Sequence, residues 1–237
     1  MRIIIFLLLI FCQVIYGQDM KYYVLYKIDK YNNIENVKKK KFNKAMKQIA
    51  EIQKKIEFEL IFGQSQSFFK RKEILVSENE DFLYMMASGG VFSDVIYCKN
   101  TKSKYKITDF QGEQFKIMYP NQQYDWKITK ETKVIKGYTC FKAITEWEEY
   151  DHGRDITLKF KPFVWFTFDL PFPYGPKGLD GLPGLVLEGS FNGVTYFKVS
   201  KIEKRDDIMF PKIKYSEEIK FKDYLKLIGE NSRMGRR

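Results

Sequence analysis

Histidine is almost missing from this sequence: His152 stands alone. Any Ser-His-Asp or Cys-His system would have to use it, and no Gly-x-Ser-x-Gly elbow supplies a serine nucleophile. Its neighbours, Glu148-Glu149-Tyr150-Asp151 before and Gly153 after, describe an exposed hairpin turn. Cysteine is nearly as scarce, with Cys12, Cys98 and Cys140 the only three. One histidine and scattered cysteines make no zinc site of familiar spacing. The acidic clusters at Glu78–Asp81 and Glu146–Asp151 lack calcium-loop spacing and read as solvated turns. No phosphate-cradling Gly-Lys-Ser/Thr run is present. No catalytic residue, metal or cofactor is therefore expected. A carboxylate pair drawn from distant positions stays open. Glu188 is the carboxylate to watch, although pairing with a lysine or arginine is its plainer role.

Long apolar runs are also lacking, with one exception at the start. Behind the basic Arg2, the stretch Ile3–Cys12 is apolar, with Val14 and Ile15 just beyond. It is too short to span a bilayer, which takes about 20 residues, and fits the apolar region of a cleavable signal of roughly 7–15 residues. Gly17 is a suitable small residue before a cut at Gln18. We therefore expect export to the periplasm, cell surface or medium, with residues 1–17 removed and no transmembrane segment left. Cys98 and Cys140 then remain as an even pair in an oxidising compartment, either bridged or buried as free thiols. The formal charge of +11 falls by one with Arg2. In an exported protein this excess reads as a solvated basic surface rather than a nucleic-acid site.

What is abundant is strand-forming residues, with 44% hydrophobic and 17% aromatic. Residues 21–28 and 57–62 read as strands, and so do 82–86, 91–98, 104–110 and 114–118. The pattern continues at 126–135, 139–147, 156–160, 164–168, 185–188 and 194–199. Gly89-Gly90, Lys99-Asn100, Gln111-Gly112, Pro120-Asn121 and Lys136-Gly137 mark turns between them. Residues 36–54 change period. Phe42, Ala45, Met46, Ile49, Ala50 and Gln53 form one apolar stripe among lysines, with Asn36 as N-cap. That helix packs on a sheet or meets an anionic surface or acidic partner. The fold class is mainly β (α+β): an antiparallel half-barrel or barrel-like meander with one N-terminal amphipathic helix. Residues 18–230 form one domain, a helical turn falls at 223–228, and 231–237 is a frayed basic tail.

The most unusual stretch is Gly175-Pro176-Lys177-Gly178-Leu179-Asp180-Gly181-Leu182-Pro183-Gly184. Its glycines fall every third position, but three triplets cannot make a collagen helix. Glycine and proline at this density fix a tightly turning loop. It acts as a scaffold aiming Leu182 and Leu185 into a core, or as a loop touching a ligand. Gly181-Leu182-Pro183-Gly184-Leu185-Val186-Leu187-Glu188 resembles the signature of the GLPGLI family of exported Bacteroidota proteins. Ile135-Lys136-Gly137-Tyr138-Thr139-Cys140-Phe141-Lys142-Ala143, with Trp126 upstream, is similar to another block of that family. So are Trp165-Phe166-Thr167, Leu170-Pro171, Gly175-Pro176 and the early Gln66-Ser67-Phe68. Two departures stand out: Val186 replaces isoleucine, and Gly153-Arg154-Asp155-Ile156-Thr157 is followed by a longer spacer. The resemblance implies export, an envelope setting and a β-rich fold; it brings no agreed activity.

Together these readings point to a non-enzymatic binding module for an apolar ligand, lipid, peptide or partner segment. Trp165, Gly181, Leu182, Pro183, Gly184, Leu185 and Glu188 are its candidate contacts. The alternative is a structural or assembly partner of an outer-membrane complex. Oligomeric state is open.

Overall fold

The computed structural model describes residues 20–30, 48–49, 51–72 and 95–234. The export segment, strand candidate 82–86, residues 91–94 of the candidate 91–98, the 78–81 acidic cluster, Asn36 and the lysine-rich start of the first helix lie outside the described residues.

Strands β1 (Tyr22–Lys30), β2 (Glu57–Phe62), β3 (Gln66–Arg71), β4 (Ile96–Asn100), β5 (Lys104–Phe110) and β6 (Glu113–Tyr119) pair antiparallel in sequence order. A second wing contains β7 (Lys127–Ile135), β8 (Tyr138–Ile144), β11 (Phe163–Thr167), β12 (Leu185–Ser190) and β13 (Thr195–Lys204). The wings join where β1 pairs with β13. β14 (Glu217–Lys220) then adds in parallel beside β6, so among the described residues β14 and β7 are the two edges of an open twelve-stranded sheet. β9 (Trp147–Asp151) and β10 (Ile156–Phe160) form a separate two-stranded ribbon, and α1 (Phe221–Met234) follows β14 directly. The expected mainly β fold built on an antiparallel meander is the observed architecture, and the sheet, expected as a half-barrel or barrel-like, does not close into a barrel.

The sequence explains these elements locally. In β2, Phe58, Leu60 and Phe62 are buried while Glu57, Glu59 and Ile61 lie between them at half-burial, the period-2 pattern of a sheet with one packed face. At Gln111-Gly112 and Lys136-Gly137, φ is positive at both residues, the backbone that suits two-residue hairpins between right-twisted strands. These turns join β5 to β6 and β7 to β8.

The largest core cluster gathers Val24, Tyr26, Phe58, Leu60, Phe62, Phe69, Leu185, Leu187 and Phe197. Leu170, Phe172 and Tyr174, from the segment after β11, pack on it, as do Ile49 and Ile52 of the helical residues 48–49 and 51–55. This sheet face is therefore filled by the chain's own side chains. From the predicted helical stripe, Ile49 packs on that cluster and Gln53 is buried.

One expectation is corrected, and one open alternative is decided. The C-terminal helical turn is a full fourteen-residue helix reaching Met234, so Asn231 to Met234 are helical rather than frayed, while 235–237 lie outside the described residues. Phe221, Tyr224, Leu225 and Ile228 recur three and four apart and dock it on Phe115 and Ile117 of β6. Cys98 and Cys140 are both free and buried. They sit on β4 and β8, with six strands between them in the sheet, so the bridged alternative is not formed. Burial pushes the two thiols up to about 12 and about 11.

Candidate functional site

The 175–184 loop is held by charge as well as by turns. Asp180, 6% exposed, receives ion pairs from Lys99 at 2.9 Å and Lys104 at 3.0 Å. Lys104 Nζ also donates to the Gly178 carbonyl at 2.8 Å, and Trp126 Nε1 to the Asp180 carbonyl at 2.8 Å. Desolvation pulls the Lys104 ammonium below its usual range, while Asp180 opposes the shift. Gly178 and Gly181 have φ of +75 and +92, which an L side chain would resist. Lys177, just before Gly178, holds φ 51, and its side chain lines a neighbouring cavity.

That cavity, about 290 Å³, lies between the loop, strands β4–β6, Glu149 of β9 and helix α1. Tyr97, Tyr119, Tyr124 and Tyr224 line it, along with Lys106, Lys177, Gln123 and Glu149. The register explains the gathering: Tyr97 faces Lys106 across β4–β5, and Lys104 faces Tyr119 across β5–β6, so these alternate residues share one sheet face. Lys106 Nζ lies 5.5–5.8 Å from the ring centroids of Tyr119, Phe221 and Tyr224, a cation–π cage. Burial lowers the Lys106 ammonium to about 8, Glu149 partly offsets this and Lys177 adds to it. Burial also lowers Lys177, again against Glu149. Glu149 Oε1 accepts the Trp147 indole N–H at 2.8 Å. Burial drives Tyr97, Tyr119 and Tyr124 upward, so their hydroxyls stay protonated donors. A larger depression of about 500 Å³ lies along β7, β8 and β11, lined by Lys127, Lys142, Lys161 and Glu146. Its charges are solvated and Lys142 is already paired with Glu131 at 2.9 Å, so the field is stronger in the smaller cavity.

The candidate contacts from the sequence divide among different places. Leu182 is buried with Leu179, Val164 and Phe166, and Leu185 enters the main core. Gly181, Pro183 and Gly184 shape the loop, and a methyl at 184 would overlap the Thr167 carbonyl. Trp165 and Glu188 do come together, joined by Lys133. Its ammonium donates to Glu188 at 2.8 Å and sits 4.3 Å over the Trp165 ring, which gives Glu188 the structural partner expected of it. None of these seven residues lines the 290 Å³ cavity. His152 sits in the β9–β10 turn, half-buried against α1 rather than exposed. Asp180, Glu188 and His152 have separate surroundings. The segment Glu146–Asp151, read as a solvated turn, is mostly strand, and Glu149 points into the cavity. No local signal singles this cavity out: Lys104, Lys106 and Thr108 alternate on a strand whose other positions are Tyr105, Ile107, Asp109 and Phe110.

A family model described as the N-glycanase peptide, N-terminal domain, matches residues 92–227. The chain belongs to this N-glycanase N-terminal domain family. The matched stretch contains the 175–184 loop and every lining residue of the cavity except Ile228. Among solved structures, PNGF-II in a C2 crystal form superposes with a TM-score of 0.54 at 18% identity, covering 90% of this chain and 33% of that one. Its P21 form gives 0.53 at 19% identity, over 90% and 34%. At this identity the likeness shows a shared fold, and the chain spans about a third of that protein's length. No curated protein matches.

Proposed function

We propose that this chain is a non-catalytic binding module, exported to the periplasm or cell surface, whose ligand sits in the cavity between the 175–184 loop and α1. In the family setting of an N-glycanase N-terminal domain, that ligand is a saccharide. The observation that carries the reading is the lining: four tyrosines, two lysines, Gln123 and Glu149 around about 290 Å³. Ring faces suit the apolar side of a sugar, while hydroxyl, amide and ammonium donors suit its oxygens. The wholly apolar ligand suggested by composition is less well served, since Leu170, Phe172 and Tyr174 already fill the main apolar face. The export signal and the GLPGLI resemblance support the address.

The test is titration of the purified protein with oligosaccharides released from N-glycoproteins, followed by intrinsic fluorescence. Saturable binding with the saccharide recovered unchanged is expected, and Leu225→Trp, which fills the cavity from α1, should abolish it. Absence of binding, or a Leu225→Trp protein that binds as wild type does, overturns the site. Cleavage of a glycopeptide by the protein overturns the non-catalytic reading.

A second reading, an assembly partner in an envelope complex, draws on edge strand β7. It leaves Val134 71% and Ile128 48% exposed at the margin of the sheet.

A further inference from the structure

The cavity is short of negative charge. Lys106 and Lys177 face Glu149, and just behind them Lys99 and Lys104 share Asp180, so four ammonium groups answer to two carboxylates. Asp180 is committed to the inner pair, at 2.9 and 3.0 Å. Glu149 is held by Trp147 and, among the described residues, makes an ion pair with neither cavity lysine. Lys106 and Lys177 are thus half-buried charges without a counter-ion in contact, an arrangement that costs free energy until one is supplied. The tyrosine hydroxyls around them are donors rather than competing anions.

Resting on the saccharide reading above, we infer that the ligand is an acidic saccharide whose single anionic group, a carboxylate or a sulfate ester, binds between Lys106 and Lys177. Its oxygens would accept from both ammonium groups, while the ring lies against the tyrosine faces. Binding would bring the local charge closer to balance, and the attraction of the anion would offset the desolvation that holds the two lysines below their usual range. Lys106 is faced by Tyr97 from β4, Tyr119 from β6, Glu149 from β9, Lys177 from the loop and Tyr224 from α1. Of these, Lys106 loses its charge as pH rises through about 8, and burial holds Lys177 below its usual range, so affinity for the anion falls there.

The experiment compares lactose, 3′-sialyllactose and lactose 3′-sulfate by calorimetry on the intact protein. The acidic sugars are expected to bind at least tenfold more tightly than lactose. That margin should shrink in 0.5 M salt and above pH 8, and vanish in Lys106→Met and Lys177→Met, where the acidic sugars should bind no more tightly than lactose. Preference for only one acidic sugar identifies the anion as carboxylate or sulfate. Equal affinity for all three overturns the acidic-ligand inference and leaves the binding module standing. No binding of any of the three overturns the inference too, and the fate of the module is then read from the N-glycan titration and Leu225→Trp. A margin that survives both lysine substitutions places the anion elsewhere and overturns the assignment to this pair.

Discussion

Lys104 is 2% exposed and yet carries an ammonium group. It is tolerated because Asp180 and the Gly178 carbonyl lie within hydrogen-bond distance, which turns the loop into a counter-charge delivered to the sheet. Asp180→Asn would leave Lys104 and Lys99 repelling each other in a low-dielectric setting. We expect it to cost about 3 kcal/mol in urea unfolding, with Lys104→Met losing much less because Asp180 keeps Lys99 as its partner and no charge is left stranded. A cost equal for both variants would show that the carboxylate matters only through packing. At this scale the sequence was partly legible. The loop containing Asp180 stood out through its glycines and prolines, whereas its partners lie about eighty residues earlier in a lysine-rich stretch. Lysine on a strand reads as outward-facing, and nothing local distinguishes Lys104 and Lys106 from their many exposed counterparts.

Helix α1 contains Gly229, which in isolation weakens a helix by about 1 kcal/mol against alanine. Here the bare backbone is what lets the β9–β10 turn approach. A Cβ at 229 would overlap His152 and come within 2.9 Å of the Gly153 nitrogen. Gly229→Ala is therefore predicted to destabilise despite its better helix propensity, by about 1–3 kcal/mol as in other overpacked contacts. Near-UV dichroism and thermal unfolding would register it, with exposed Glu230→Ala as the control. A stabilised Gly229→Ala protein would mean that hairpin and helix do not dock. The hairpins were legible because turn chemistry is local: Gln111-Gly112 and Lys136-Gly137 carry their conformation in two residues. The helix was underestimated because its apolar stripe is only four residues wide and gains meaning from β6 and Trp147, which are distant in sequence.

For the whole molecule, the buried cations and thiols set opposite trends with pH. Lys106 holds its proton to its ordinary 10.5 when unfolded but loses it near 8 in the fold. Above pH 8 the unfolded chain thus binds more protons, and stability rises with pH. Cys98 and Cys140 behave in the other sense: unfolded they ionise near 9.0, folded only at about 12 and about 11, so stability falls above pH 9. Denaturant midpoints of the unliganded protein should therefore peak between pH 8 and 9, and Lys106→Met should flatten the rising limb. A midpoint that falls steadily from pH 7 would refute this. The overall architecture was legible, because alternation and turn signals repeat along the chain. The order of the strands was not. Pairing β1 with β13 and β14 with β6 depends on which edges remain bare once hairpins have formed, and that information is spread over the whole sheet.

The pairing of β1 with β13 also separates the order of synthesis from the order of assembly. β1 leaves the ribosome before the other described strands and can zip to β2 within a few dozen residues, but its other side waits for Thr195–Lys204. A nascent chain stopped before that point carries its future midline as an outer edge, rich in tyrosine, valine and leucine, and open to addition by strands of other chains.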